Sequence, residues 1–484
     1  MVASRQFWGK NKAHELLASL DADSYRELTP SLPLGLPFLP LNVEINYLRW
    51  PLLPDIFPVS FPGIQPSRDD VVVDIDKRRL VERMERYFDK TVSDEEMRRI
   101  VPGAVENSAG FNAKEVREYL QERGFLPQYV IPYLYRPFDL RWLYWEPETN
   151  LLDRKREEYF SQVFEDNIWL CAVQQNRKSF DPPVVTKRHS SRHIVERGAN
   201  LFPLLLKSTA RRSLFDAETI DSDTPSLNLS EPARAYLTGI NEEGINLFLH
   251  VVAILHAPVY RQENSGALRQ DWPRVPLPGD AEALRRSAEL GRRVAALLAY
   301  DPADASTNSP LLKGVISSPL RAEMRVVGVV ARAGGGQLRP TEGEYALDAN
   351  WGYATPKGVM PGRGRAEERD YTEGERAAIA EGAAALGLSE AEAFARLGGQ
   401  TFDVYLNEVA FWRNVPARVW GYHVGGYQVV KKWLSYRERE VLGRDLSTAE
   451  VNEVRDMARR IAALLLLEPA LDENYHSVKQ HTYA

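Results

Sequence analysis

Tyr135-Arg136-Pro137-Phe138-Asp139-Leu140-Arg141-Trp142-Leu143-Tyr144 is the stretch from which the fold is read. Aromatic and branched side chains beside a Pro-containing break read as a core-forming strand and turn. The Arg136 and Asp139 charges are expected to pair internally across that turn. From Tyr133 to Pro203 the same texture continues in short runs, notably Leu140–Trp145 and Asn167–Val173, so the middle of the chain reads as strand-rich.

The flanks read differently. Residues 1–70 carry Pro30, Pro33, Pro37, Pro40, Pro51, Pro54, Pro58 and Pro62 and predict an extended linker or docking segment, because proline opposes helix and central strand alike. Val71–Ile75 reads as a short strand. Leu80, Val81, Met84, Tyr87 and Phe88 then recur at helical spacing, and Ser93 with Glu96 forms a capping box. Residues 71–125 are thus a helical unit.

Beyond the polar stretch 207–232, taken as a surface connection, Ile245–Leu255 suits a buried helix. Leu284, Ala288, Gly291, Val294 and Leu298 mark an amphipathic helix, completing a helical insert near 240–300. Strand character returns at Met324–Ala331 and Phe402–Leu406, separated by a Gly-rich, low-order loop at 334–370 and a helix opened by Ser389 and Glu392. Ser447 and Glu450 cap a C-terminal helix within 436–484. The fold class is α/β mixed, a helical unit followed by a strand-rich domain (126–435) with helical spacers.

The 484 residues, 44% apolar and 26% charged, suffice for two to four domains. No run approaches a membrane span, and the single Cys171 excludes an intramolecular disulfide and a Cys-rich zinc site, so a cytoplasmic protein is expected. A net charge of −6 argues against a uniformly basic nucleic-acid binder, so any such surface must be local.

Several chemical motifs can be tested. His189 and His193 are spaced i, i+4 with Glu196 nearby, but a solvated polar segment explains them better than a metal site. Asp74 and Asp76 alternate as paired carboxylates on a strand could, yet the basic residues Lys77, Arg78 and Arg79 that follow favour capping roles. Gly334-Gly335-Gly336 lacks the following Lys-Ser or Lys-Thr of a phosphate loop. Asp181-Pro182-Pro183 precedes Val184, which offers no aromatic face to stack a flipped adenine. No catalytic residue and no metal site is therefore assigned.

What remains is a basic, amide-rich middle: Arg154, Lys155 and Arg156; Gln174, Gln175, Asn176, Arg177 and Lys178; Lys187, Arg188, His189, Arg192 and His193. Arg and Lys neutralise phosphates, while Gln, Asn and Arg form paired hydrogen bonds with base edges. A solvated charged face is the competing explanation.

Three stretches add a resemblance. The Tyr135–Tyr144 segment, the segment Leu255-His256-Ala257-Pro258 through Arg274-Val275-Pro276, and the segment Val415-Pro416 through Gly425-Gly426-Tyr427-Gln428-Val429 and Lys431-Lys432-Trp433-Leu434 resemble, in order and spacing, the C-terminal specificity region of Type ISP restriction–modification enzymes, which are adenine-specific DNA methyltransferases. Asn46-Tyr47, Trp50, Ile56-Phe57-Pro58 and Ser67-Arg68-Asp69-Asp70 are similar to the linker after the methylase core of those enzymes. Phe202-Pro203-Leu204-Leu205 departs from the family pattern by lacking a tyrosine.

The resemblance implies that 126–435 is a target-recognition domain and 71–125 a helical coupler. It implies DNA sequence recognition for a phage-defence system, with target adenine presented to a partner methyltransferase. Double-stranded DNA is then one partner, and the methyltransferase, with helicase or nuclease, another; S-adenosylmethionine would bind on the partner and no cofactor on this chain. A chain starting where a methylase core ends would be a separate specificity subunit or a truncated gene product. The alternatives are a divergent or truncated N6-adenine methyltransferase and a non-catalytic scaffold subunit. Candidate DNA contacts are Arg154, Arg156, Gln174, Gln175, Asn176, Arg177, Lys178, Lys187, Arg188, Arg192, Lys431 and Lys432. The family-motif residues Arg136, Asp139, Arg141, His256, Arg274, Gly425, Gly426 and Trp433 are expected to serve mainly packing and turn geometry.

Overall fold

In the computed structural model, residues 2–4, 26–28, 43–176, 180–195, 198–207, 224–300, 324–355 and 358–483 are described. Around the expected strand and turn the structure builds a hairpin, Val130–Arg136 against Asp139–Tyr144, with Leu134 opposite Leu140. Phe138 takes the left-handed conformation at the turn (φ 63°). The hairpin is the centre of a four-stranded sheet, flanked by Val73–Asp74 on one side and by His189–Ser190, running parallel, on the other. A second sheet orders Phe61–Pro62, Asn200–Pro203, Trp169–Ala172 and Val184–Thr186. A third orders Val329–Arg332, Ala410–Pro416, Gln400–Tyr405 and Ala366–Asp370.

Helices form where periodicity and caps coincide. Asp76 accepts from the Arg78 and Arg79 amides and opens Lys77–Phe88, which buries Leu80, Met84, Tyr87 and Phe88. Ser93–Glu96, Ser389–Glu392 and Ser447–Glu450 all close reciprocal capping boxes. Gly244–His256 is buried nearly all round and packs on Ala281–Ala299. There the backbone approach is so close that a methyl on Gly291 would overlap the Leu249 carbonyl oxygen.

Two apolar cores result. One fills the strand-rich lobe and its helical front, and the other surrounds Gly244–His256 and Ala281–Ala299. Thr448–Gln480 crosses both: Val451, Val454, Met457 and Ile461 enter the first, Leu467, Leu471, Tyr475 and Val478 the second. Among the described residues no helix is long and apolar enough to cross a membrane.

Several expectations are corrected. The described part of the Pro-rich front, 43–70, is neither uniformly extended nor presented outward: Leu53–Ile56 and Asp69–Val72 are short helices, and Tyr47, Trp50, Leu53, Ile56 and Phe57 are buried in the second core. Aromatic and aliphatic residues between the prolines cover the chain's own apolar helices, which leaves those side chains no face for a partner. The Val71–Ile75 strand shrinks to Val73–Asp74, because the Arg83 guanidinium draws in the Val71 and Val73 carbonyls (2.8 and 2.9 Å) and the Asp74 carboxylate (2.7 Å). Met324–Ala331 yields a strand at Val329–Arg332, preceded by a turn. The low-order Gly-rich loop is structured, with Gly352–Thr355 pairing Gly358–Pro361 and Ala366–Asp370 joining the third sheet. Most of the polar stretch 207–232 lies outside the described residues, and its end opens the helix Glu231–Ile240.

Candidate nucleic-acid interface

Three short segments are zipped side by side. Gln65 exchanges backbone hydrogen bonds with Arg154 (3.1 and 2.9 Å), while Ile64 accepts from the Arg192 amide (2.9 Å) and donates to the Ser190 carbonyl (3.0 Å). Gly63 permits this approach, since a Cβ there would stand 2.6 Å from the Arg192 nitrogen. The loop bearing Arg154 is rooted by Trp145, whose indole donates to the Lys155 carbonyl (2.7 Å) and whose ring stacks on Phe160 at 3.6 Å. Phe160 stacks in turn on His189 at 4.6 Å.

This backbone arrangement gathers Arg154, Arg156 and Arg192. Arg156 sits in the left-handed region (φ 57°) at the start of Glu157–Phe160. Burial first, and then the charges of Arg192 and Arg154, hold its pKa below the ordinary arginine value, although a guanidinium stays protonated at any physiological pH. The buried Nε atoms of Arg156 and Arg192 have no hydrogen-bond partner. Arg154 has the Asp153 carboxylate 3.8 Å away; even so, three like charges brought together are repulsive alone and favourable around an anion.

The basic surface continues through Arg136. Its guanidinium donates to the His193 carbonyl (2.8 Å), and its Nε is likewise unpartnered. Arg136 shares a crevice with Ile194, Val195, Tyr427 and Lys432. The Lys432 ammonium lies over the Tyr436 and Tyr427 rings (4.5 and 5.2 Å), and Tyr427 is half exposed. The strip thus runs from Arg154 to the Val429–Arg437 helix.

The remaining candidates lie apart from it or face inward. Gln174 donates to the Asp271 carboxylate (2.8 Å), and Gln175 is exposed beside it. Asn176 is buried and donates to the Leu268 carbonyl (3.1 Å), and Lys187 is buried too, so neither presents its head to a large ligand. Arg188 is half-buried next to Lys187, and Lys431 is half-buried on the Val429–Arg437 helix. Arg177 and Lys178 lie outside the described residues. Glu196 does too. His189 is stacked in a strand, where burial lowers its pKa to about 4 and keeps it neutral. Among the described residues no cluster of His, Cys, Asp and Glu is arranged to hold a metal. Asp74 is paired to Arg83 rather than to Asp76, which caps a helix and reaches Arg444 (3.4 Å).

The family-motif residues build the scaffold under the strip. The expected Arg136–Asp139 pair is replaced by a different one. Asp139, buried in the hairpin turn, accepts from Arg141 (2.7 and 3.0 Å) and pairs with Arg437 (3.0 Å) on the Val429–Arg437 helix. Arg141 is sandwiched between the Tyr135 and Tyr436 rings at 3.8 and 4.1 Å. Arg444 grips Glu450 with two bonds (2.7 and 3.0 Å), and Trp433 donates to Glu453 (3.1 Å). Arg437 escapes sequence reasoning: a fully buried arginine looks like any basic residue until a distant carboxylate is placed beside it.

His256 hydrogen-bonds the Pro183 carbonyl (2.9 Å), and Asp181 accepts from the Gly425 amide (3.0 Å), so the Asp181-Pro182-Pro183 segment is a structural joint. Gly425 and Gly426 both have positive φ (62° and 76°), as a tight turn between His423–Val424 and Tyr427–Gln428 requires. Arg274 donates to the Trp50 carbonyl (2.8 Å) and so fastens the Pro-rich front.

A sequence model of the Type ISP C-terminal specificity domain matches residues 55–464. The chain belongs to this family. No curated protein matches the specificity domain at the sequence level. Solved structures share its fold. The DrdV–DNA complex aligns with a TM-score of 0.57 at 15% identity, over 97% of this chain and 42% of that one. A nuclease-deletion mutant of the Type ISP restriction–modification enzyme LlaGI, in complex with a DNA substrate mimic, aligns with a TM-score of 0.52 at 15% identity, over 94% of this chain and 36% of that one. The ATP-dependent Type ISP enzyme LlaBIII bound to DNA gives 0.52 at 11% identity, over 94% and 25%. The Type ISP specificity domain described here therefore spans less than half the length of each of these proteins.

Proposed function

We propose that this Type ISP specificity domain recognises a DNA target for a restriction–modification system and presents the target adenine to a methyltransferase. The observation that carries this reading is the convergence of the Arg154, Arg156 and Arg192 guanidiniums, of which Arg154 lies near a carboxylate (Asp153, 3.8 Å) and Arg156 and Arg192 each keep an unpartnered Nε, continued by Arg136 and Lys432. Such a strip neutralises phosphates whatever the net charge of the chain. The DNA held by the LlaGI, DrdV and LlaBIII structures supports the same reading. Methyl transfer, with its S-adenosylmethionine, belongs in this proposal to the methylase, as do helicase and nuclease work to further partners. This chain's own part is to grip, orient and read.

The test is fluorescence anisotropy of the purified chain with a mixed-sequence duplex across a salt series, alongside calorimetry with S-adenosylmethionine. Binding that weakens steeply with salt, and no heat from S-adenosylmethionine, is expected. Salt-independent retention, or tight S-adenosylmethionine binding, would overturn the proposal, the latter in favour of a divergent methylase.

A further inference from the structure

A cleft of about 470 Å³ lies at the seam of the two apolar cores. Its walls are the Val130–Arg136/Asp139–Tyr144 hairpin, the strand Val184–Thr186, the end of Ala281–Ala299 and the first turns of Thr448–Gln480. Phe138, at the hairpin turn, packs against both cores. Leu134 and Leu140 are opposite in register and so share one face of the hairpin. With Leu298 they line the cleft and stay half-buried. A concavity of this size and apolar character is typical of small-molecule sites.

Most of the charge along its walls is already paired. Both Glu450 oxygens accept from Arg444 (3.0 and 2.7 Å), and Arg455 pairs with Asp456 (3.0 Å). Arg460 donates to the Leu298 carbonyl (2.9 Å) and lies 4.6 Å over the Phe138 ring. Two neighbouring groups are left. Glu453 Oε1 accepts from the Trp433 indole (3.1 Å), but Oε2 and the whole Asn452 side-chain amide have no partner among the described residues. Burial lifts the Glu453 carboxyl to about 7, so near neutral pH much of it is the acid, with a hydroxyl to donate beside an oxygen that accepts. A charged ligand does not suit the cleft. An ammonium would face Arg455 and Arg460, and an anion would face Glu450, Glu453 and Asp456, between largely apolar walls.

We propose that the cleft binds an uncharged aminoheterocycle, a purine- or pyrimidine-like ring whose amino group and adjacent ring nitrogen pair with the Glu453 carboxyl. Oε2 carries the hydroxyl and donates to the ring nitrogen, while Oε1 accepts from both the Trp433 indole and the amino group. The Asn452 amide meets a further polar edge of the ring, and Phe138 with the planar Arg460 guanidinium supplies flat surface beside it. Arg154, Arg156 and Arg192 do not line the cleft, so this site stands apart from the phosphate grip proposed above.

The experiment is ligand-observed NMR, with melting curves, of the full chain at pH 7. The probes are adenine, purine (the same ring without the amino group), toluene, benzylammonium and benzoate. Adenine should bind and raise the melting temperature with concentration. Purine should bind roughly ten-fold more weakly, and the other three more weakly still. Glu453→Leu should abolish adenine binding, whereas Glu453→Gln, which keeps a donor beside an acceptor, should hold it within about five-fold. Ala449→Trp, at an exposed position on the rim, should block adenine and leave the fold intact. A free heterocycle and a base turned out of DNA share this chemistry. Duplex affinity of Ala449→Trp within about two-fold of wild type identifies the free compound, and a loss of roughly ten-fold identifies the duplex base, the cleft standing in both cases. Adenine binding no better than purine or toluene makes the cleft merely apolar and overturns the proposal. So does a preference for benzylammonium, which makes it an acid site. Binding that survives Ala449→Trp places adenine elsewhere, and no binding at millimolar adenine leaves the cleft to water; each overturns it.

Discussion

Asp139→Ala is the most direct probe of how the motif residues support the strip. The Asp139 carboxylate is 2% exposed and holds Arg141 (2.7 and 3.0 Å) and Arg437 (3.0 Å), the latter itself 1% exposed. Burial pushes this carboxyl upward, but the two guanidiniums outweigh it and hold the pKa below 3.8. Removing the anion leaves the buried Arg141 and Arg437 guanidiniums facing each other, with the Glu450 carboxylate, 4.0 Å from Arg437, as partial compensation. Breaking a buried pair in this way costs about 3–5 kcal/mol, even where replacing the whole group by apolar residues is neutral. The shift should be read in urea unfolding followed by circular dichroism and tryptophan fluorescence. Asp139→Asn, which keeps the shape and removes the charge, should lose a similar amount. The sign with pH follows from the depressed pKa. The stabilisation is complete above the ordinary carboxyl value and disappears as pH falls through the lower folded value, so wild type and variant should converge only once the pH is below that folded value. An Asp139→Asn protein within about 0.5 kcal/mol of wild type at pH 7 would refute the reasoning.

Three further outcomes are expected. In salt titrations, Arg154→Ala/Arg156→Ala/Arg192→Ala should lower the slope of log affinity against log salt by roughly 2.7, about 0.9 for each phosphate no longer neutralised. Between 50 and 200 mM salt the wild type would then lose roughly forty-fold more affinity than the variant, and equal slopes would remove the cluster from the interface. Burial, with Asp139 and Glu450 near, lifts the Glu453 pKa to about 7, so the protonated form favours the fold and stability should fall as pH rises from about 4.5 through 7. Glu453→Gln should flatten that dependence in melting curves at pH 5.5 and 7.5, and a parallel decline in both proteins would contradict it. Gly291→Ala forces Gly244–His256 and Ala281–Ala299 apart and should destabilise by about 1–3 kcal/mol or more in urea titration; a neutral effect would mean the helices are not so closely packed.

Legibility varies with the range of the interaction. Capping boxes at Ser93, Ser389 and Ser447, the helices around Leu80 and Ile245, and the strand and turn at Tyr135–Trp142 rest on neighbours within a few residues, and each forms as read, the last as one half of a hairpin. The Val71–Ile75 strand is shorter than its β-branched run suggests because Arg83, on the next helix, competes for its carbonyls. The Gly-rich segment is ordered, against expectation, because its glycines serve close backbone approaches at Ser435, Asn350 and Trp351. Within the candidate site, Arg154, Arg156 and Arg192 stand out in the sequence as basic residues. That they meet, while Asn176 and Lys187 turn inward, depends on Gln65 and Ile64 threading between them.

The amino-acid order alone determined the class of fold, the local elements and the family, because periodicity, caps and motif spacing are properties of short windows. The tertiary structure decided which cations converge and which carboxylate each buried arginine holds. Those outcomes turn on electrostatics and desolvation between residues far apart in the chain, such as Asp139 and Arg437, whose interaction exists only once the chain has folded to place them 3.0 Å apart.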